Sequence, residues 1–323
     1  AIVTYGAYIL EVWLIERVHY FLIGGIGLGA VVATFAVFSA VFKMYKKASH
    51  FQIGKVVGEQ DDPALWAFVR SIADEIKAVS PDNIIVGIEP TFYVTAAEVR
   101  GSSDVPLTGE TLYLSLTLLR LLDKSELKAI VAHELGHFKG EDTSYSLKFA
   151  PVHRGLANSI RGLSGNGEEN ATQIAALPAL AVLQSMYESF DLSIAKVNRA
   201  REFEADNVAV SATSAEDFSY ALTKVSMFSF VWTNVIKHNI ERLSKRKVDD
   251  NLSKVFEEEI AYTFSLDQVK LISENVLGNK ISHPTDSHPN LADRLDNAGY
   301  DKSKLDLSKL IKFRRCIDEL VPD

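Results

Sequence analysis

The chain contains a single cysteine, Cys316, in 323 residues. One thiol excludes an internal disulfide and a cysteine metal cage, and it fits a reducing compartment. An excess of positive charge is also missing. Lys and Arg total 34 against 42 Asp and Glu, for a formal net charge of −8. Nucleic acid selects basic surfaces, so it is not an expected partner. No internal repeat is evident. What the chain has in quantity is apolar character. Hydrophobic residues make up 47% of it, ample for a core, and its length allows one large domain or two.

Charge is absent altogether from Val18 to Phe42, a run long enough to cross the roughly 30 Å hydrocarbon core of a bilayer. Its glycines suit a membrane helix better than a soluble one. Lys43, Lys46 and Lys47 follow at once, whereas Arg17 on the other side is offset by Glu11 and Glu16. The positive-inside rule then places the C-terminal side in the cytoplasm. A cleaved signal peptide fits poorly, because the run is too long and no basic region precedes it. A buried core helix is the other alternative. Residues 1–16 are apolar but interrupted by Glu11, and read as an interfacial segment or the lower part of a first membrane helix. The expected organisation is a membrane anchor over 1–47, spanning at about 18–42, and a domain over 48–323 on the cytoplasmic side of the cell (inner) membrane. The lipid bilayer is an expected partner.

Residues 133–137 read His-Glu-Leu-Gly-His. On a helix, residues four apart share a face, so His133 and His137 can close on one zinc ion. Glu134 sits one position round, near enough to take a proton from a water on that ion. The flanks predict a helix. Ser125 is the expected N-cap, Glu126 favours the helix dipole, and Gly140 is the expected stop. Leu127, Ile130, Val131, Leu135 and Phe138 form an apolar stripe. Two histidines and a glutamate can share a solvated helix by chance. Burying them in so apolar a stretch would be costly without a metal to partner them.

Around this motif the pattern predicts a mainly α protein with a small β-sheet, an α+β fold. A polar linker near 48–60 precedes a helix that starts at Asp61-Asp62-Pro63, repeats through Leu65, Trp66, Val69, Ile72, Ile76 and Val79, and ends at Ser80-Pro81. Strands are expected at 84–88, 92–95 and 111–116, and a short helix at 116–122. Residues 162–172 read as a flexible loop, and helical periodicity dominates from Gln173 to Ala212. Within it, Ala175–Met186 reads as a core or interfacial helix. Residues 245–247, Lys-Arg-Lys, read as a solvated turn whose field Asp249 and Asp250 largely cancel.

Catalytic zinc usually takes three protein ligands and a water. The run Arg201-Glu202-Phe203-Glu204-Ala205-Asp206 is the best source of the third. Glu202 and Asp206 share a helix face, and Glu204 points roughly the opposite way. With Glu202 on the metal, Asp206 is placed to hold a ligand histidine by its second ring nitrogen. Alone, the run reads as a solvated charged face.

With these motifs the chain resembles the HtpX-like and CAAX-prenyl-protease-like family of membrane-anchored zinc metallopeptidases, the gluzincins. His133-Glu-Leu-Gly-His137 matches the first family motif, and Glu202-Phe-Glu-Ala-Asp206 the E-x-x-x-D that follows. The segment Ser287-His288-Pro289 with Arg294 resembles a late Ser/Thr-His-Pro motif. His283-Pro284 lacks an arginine six positions on. The resemblance covers about residues 60–300. It implies a gluzincin-type domain with one Zn2+ per chain, held by His133, His137 and Glu202, with Glu134 as general base. It implies that His288 and Arg294 help bind substrate and steady the transition state. The strand motif Asn-Ala-Phe of the family is replaced here by Thr91-Phe92-Tyr93-Val94. Residues 144–190 do not show a clear membrane hairpin. The expected function is an endopeptidase acting on protein or peptide substrates in membrane-protein or misfolded-protein quality control. The alternatives are CAAX-type processing and a non-catalytic adaptor that keeps the fold.

Overall fold

The computed structural model describes residues 2–14, 18–44, 49–101, 105–139, 142–164, 171–278, 288–313 and Cys316. Arg17, Lys46, Lys47, Gly140, residues 165–170, His283-Pro284 and Ser287 lie outside the described residues. In chain order the elements are α1 (Ile2–Leu14), α2 (Tyr20–Met44), β1 (Ser49–Phe51), β2 (Lys55–Val57), α3 (Pro63–Ile76), β3 (Asn83–Gly87), β4 (Tyr93–Thr95), β5 (Glu98–Arg100) and β6 (Thr111–Ser115). There follow α4 (Leu116–Leu119), α5 (Lys124–Lys139), α6 (Asp142–Ser164), α7 (Ala171–Ala212), α8 (Ala215–Phe228), α9 (Val231–Ser244), α10 (Leu252–Thr263), α11 (Leu266–Gly278), α12 (Leu291–Asn297) and α13 (Leu307–Leu310). The chain divides into two compact units, one of Ala1–Ala48 with Tyr145–Ile194, the other of Ser49–Ser144 with Ala195–Asp323.

The first unit is helical. The α1–α2 turn is tied by Glu11, whose Oε2 accepts the His19 N–H at 2.8 Å. This gives the acid that interrupts the apolar N-terminus a capping role. The 25-residue α2 coincides with the expected span, although several of its side chains lie outside the described residues. Among the described residues, no helix is long and apolar enough to cross a membrane. Residues 145–194 belong to this unit. Here α6 and α7 meet through His153 Nε2 and Asp191 Oδ1, 3.1 Å apart. Helix α7 continues through Pro178, a residue that ordinarily breaks a helix interior.

The second unit carries the sheet, in strand order β2-β3-β6-β4. β3 and β6 are parallel, with Ile84 opposite Leu112, while β2 and β4 pair antiparallel at the two edges. A separate parallel pair joins β1 to β5. Side chains alternate across the sheet. Ile84, Val86, Leu112 and Leu114 enter the main core with Leu65, Val69 and Ile72 of α3 and Leu127, Val131 and Leu135 of α5. Ile85 and Tyr113 face the other side with Val99. The 49–57 stretch is therefore not a linker. Its strands are three residues each and largely exposed, too short to show an alternating pattern.

Helix α3 starts as expected, with Asp62 accepting the Leu65 N–H at 2.9 Å and Pro63 in the first turn. It ends before Val79, because Lys77 adopts a left-handed conformation at φ 57°, leaving Val79 exposed. Asp123, not Ser125, caps α5. Its Oδ1 accepts the Ser125 and Glu126 N–H groups at 3.0 and 2.9 Å, and Glu126 Oε2 accepts the Asp123 N–H at 2.8 Å. Glu126 is buried and also takes the Lys224 ammonium of α8 at 2.7 Å, which fixes the start of the motif helix. Residues 245–247 form an exposed turn, as expected.

Candidate active site

The five apolar residues of the α5 stripe are all buried, so the helix can turn only one way. That orientation brings His133 and His137 side by side on one face, their rings 5.0 Å apart and nearly perpendicular. Helix α7 lies alongside. Gly136 makes the close approach possible, since a Cβ there would stand 3.4 Å from Ala205 Cα and 3.5 Å from Val208 Cβ. Glu202, one helical turn before Asp206, then faces both histidines. Its Oε2 is 3.6 Å from His133 Nε2 and its Oε1 is 3.8 Å from His137 Nε2. His133, His137 and Glu202 each offer one ligand atom, and these atoms all lie within 4.8 Å of one another. Two imidazoles and a carboxylate at this spacing suit zinc. Glu204 is exposed on the opposite face, as its position in the run requires.

Asp206 is fully buried beneath the cluster. Its Oδ1 sits 3.0 Å from His133 Nδ1, the contact that fixes a ligand histidine's ring and leaves Nε2 free to bind. The same carboxylate receives a fork from Arg294, with Nε to Oδ2 at 3.0 Å and Nη2 to Oδ1 at 2.5 Å. Arg294 Nη1 also lies 3.3 Å from Glu202 Oε2. The expected donor to a developing oxyanion is thus engaged with two carboxylates. Its contacts make it a brace for Glu202 and Asp206. Helix α12, which carries it, is capped by Asn290, whose Oδ1 accepts the Asp293 N–H at 2.8 Å, and Gly299 follows its end at φ 71°.

His288 stands at the mouth, its side chain 69% exposed, with Nδ1 donating to Glu202 Oε1 at 3.0 Å. Glu134 is half-buried beside this group. Burial pushes the Glu202 carboxyl up, but the His288 hydrogen bond and the charges of His133 and Arg294 outweigh it and hold the group at about 2. The bond to Glu202 raises His288 above the ordinary imidazole value. Burial works against the charged Arg294, yet its bonds to Asp206 and the nearby carboxylates leave it raised. One neighbour gave no sequence signal. Phe218 of α8 packs its ring 6.2 Å from that of His133, and the Arg294 guanidinium sits 6.0 Å from the same ring. A single phenylalanine in an amphipathic helix reads as core, and only the fold shows that it walls the cluster.

The model of a protein family described as peptidase family M48 matches residues 102–301. The chain is 27% identical over 183 residues to a protease HtpX homolog of Archaeoglobus fulgidus, covering 56% of this chain and 52% of that protein. It is 29% identical over 210 residues to the protease HtpX homolog of Pyrobaculum aerophilum, covering 61% and 56% respectively. The chain thus spans about half the length of these curated relatives. The crystal structure of S. mikatae Ste24p superposes with a TM-score of 0.42 at 16% identity, covering 93% of this chain and 67% of that one.

Proposed function

The chain belongs to peptidase family M48, and from that premise we propose that it is a membrane-associated, zinc-dependent endopeptidase. The observation that carries the reading is the convergence of His133, His137 and Glu202 on one point, with Glu134 on the adjoining position of the same helix. Zinc held by His133, His137 and Glu202 would acidify a water and polarise the scissile carbonyl. Glu134 would act as the general base that takes the water's proton and delivers it to the leaving amine. Asp206 and Arg294 keep His133 and Glu202 aimed. His288, exposed beside Glu202, would donate to a developing oxyanion.

Substrate lies extended along β4. This strand is an edge of the four-stranded sheet and packs beside α5. An edge strand recognises backbone groups, with side chains read only at alternate positions. That suits unfolded segments of many sequences better than one defined C-terminal motif, so membrane-protein or misfolded-protein quality control is favoured over CAAX-type processing. The bilayer anchor is α2. Its 25 residues reach about 37 Å at 1.5 Å per residue, and Lys43 is its first charged side chain. The peptidase unit then faces the cytoplasm.

Metal analysis and casein degradation by the purified full chain test the reading, with Glu134→Gln alongside. Both proteins should carry one zinc, and only the wild type should cleave. A Glu134→Gln protein that degrades casein at the wild-type rate removes the general base. Zinc binding without turnover in the wild type would favour the adaptor. Digestion of the peptidase unit from outside intact spheroplasts would reverse the orientation.

A further inference from the structure

Strand β4 is short, and three residue pairs with β6 hold one side of it. Its position must owe something to side chains, and a hydrogen-bonded chain around the buried Gln52 supplies it. Gln52, just past β1, is only 4% exposed and fully engaged. Its backbone N–H donates to Arg100 O at 2.7 Å. Its Nε2 donates to Ile53 O at 3.1 Å and Glu89 Oε2 at 3.2 Å, and its Oε1 accepts from the Tyr93 hydroxyl at 3.0 Å. Tyr93, the first residue of β4, stacks on Tyr113 at 5.1 Å with the rings 8° from parallel, and His50 meets its other side edge-on at 5.3 Å. The Tyr113 hydroxyl accepts the Glu89 N–H at 3.1 Å, which closes the network. Two glycines make room. A Cβ at Gly101 would stand 2.1 Å from Gln52 O, and one at Gly87 would stand 2.4 Å from Tyr113 Oη. Burial raises the Tyr93 phenol, so its hydroxyl stays a neutral donor.

We propose that Gln52 and Tyr93 are positioning residues, a buried glutamine and a half-buried tyrosine that hold β4 in the place an extended substrate pairs with. This rests on the reading of β4 as the substrate edge. Gln52 lies on the far side of the sheet from α5, among β1 and β5, and touches none of the metal-binding residues. Its influence therefore falls on substrate binding and not on the chemical step. Losing the Tyr93 hydroxyl leaves the buried Gln52 amide short of a partner, which costs more than the single bond suggests.

The test uses the full chain and an internally quenched peptide of about ten residues from casein, long enough to pair along a three-residue strand. Tyr93→Phe removes only the hydroxyl. Gln52→Met keeps length while removing the amide. Each should raise KM by about 5- to 30-fold, the consequence of leaving one buried polar group unpaired. kcat and zinc content should stay at wild-type values, and the double variant should be no worse than the worse single. A purely structural tie would lower Tm and leave KM unchanged, and that result overturns the proposal. So does a fall in kcat at constant KM. An N-methylated version of the peptide separates the two readings. Wild-type enzyme that is indifferent to N-methylation refutes the substrate edge itself. Sensitivity to N-methylation, with unshifted KM in both variants, refutes the role of Gln52 and Tyr93 alone.

Discussion

Replacing Asp206 by alanine should do two separable kinds of damage. The residue is fully buried, and the side chain of its partner Arg294 is 11% exposed, so solvent screens little of the charge left behind. Arg294 keeps Glu202 Oε2 at 3.3 Å, so the cost should lie at the low end of the about 3–5 kcal/mol that removing one partner of a buried ion pair typically takes. In a unit of this size each kcal/mol lowers Tm by roughly 2–4 °C, or roughly 6–12 °C in all. The second loss is at the metal. His133 Nδ1 gives up its 3.0 Å contact, and losing such a support weakens zinc by about 10- to 100-fold. Thermal unfolding of the chelated protein reads the first loss, and competition with a chromophoric chelator reads the second. The double variant Asp206→Ala/Arg294→Met separates them. With the buried guanidinium gone as well, most of the stability should return, because an apolar replacement of a buried pair is often neutral. Zinc affinity should stay low, because nothing then holds the His133 ring. A double variant as unstable as the single would refute the orphaned charge as the cause. Wild-type zinc affinity in Asp206→Ala would refute the role assigned to the carboxylate at His133.

Glu202→Ala should lose zinc whereas Glu204→Ala should keep it, since only Glu202 faces the histidines; elemental analysis showing the reverse would discard Glu202 as ligand. His288→Ala should lower kcat by about 100- to 1,000-fold, as loss of an oxyanion donor does, with zinc content and Tm near wild type; an unchanged kcat on a substrate limited by chemistry removes His288 from the mechanism. In the chelated protein, Glu202 sits at about 2 against an ordinary 4.5. A depressed carboxyl stabilises above its unfolded value and loses that contribution as pH falls through its folded one. The Tm gap between wild type and Glu202→Gln should therefore be full above pH 4.5 and close toward pH 2; a gap that stays constant across that window refutes the contact network around Glu202.

The site was legible where its chemistry is local in sequence. His133, Glu134 and His137 lie within one and a half helical turns, and Glu202 and Asp206 declare a shared face by their spacing. The Asp206 contact to His133 could be anticipated because ligand histidines need their second nitrogen held. Arg294 could be placed at the site but not given its partner, because a fork onto Asp206 depends on how α12 meets α7 across 88 residues of chain. Helix ends were read less well than helix existence. At α5 the competition between Asp123 and Ser125 turns on two residues of backbone, and both side chains are good acceptors. Strands β1, β2 and β5 carry three residues each, too few for a period of two to show. The network of Gln52, Glu89, Tyr93 and Tyr113 left no trace, since its members are scattered and none belongs to a motif.

Gly136 acts as a gauge block between two helices. The residue opposite it, Ala205, is nearly as small, and a methyl group at 136 would already stand at contact distance. Alanine would be accommodated there, but a branched or longer side chain would wedge α5 and α7 apart. Two of the three metal-binding groups ride on one helix and the third on the other, so any such wedge acts along the line between Glu202 and the histidines. Zinc bonds to nitrogen and oxygen span only about 2.0–2.2 Å. A displacement that most cores would absorb by repacking would here be read directly as bond length. The ion that fits this protein is therefore chosen partly by a residue that never touches it.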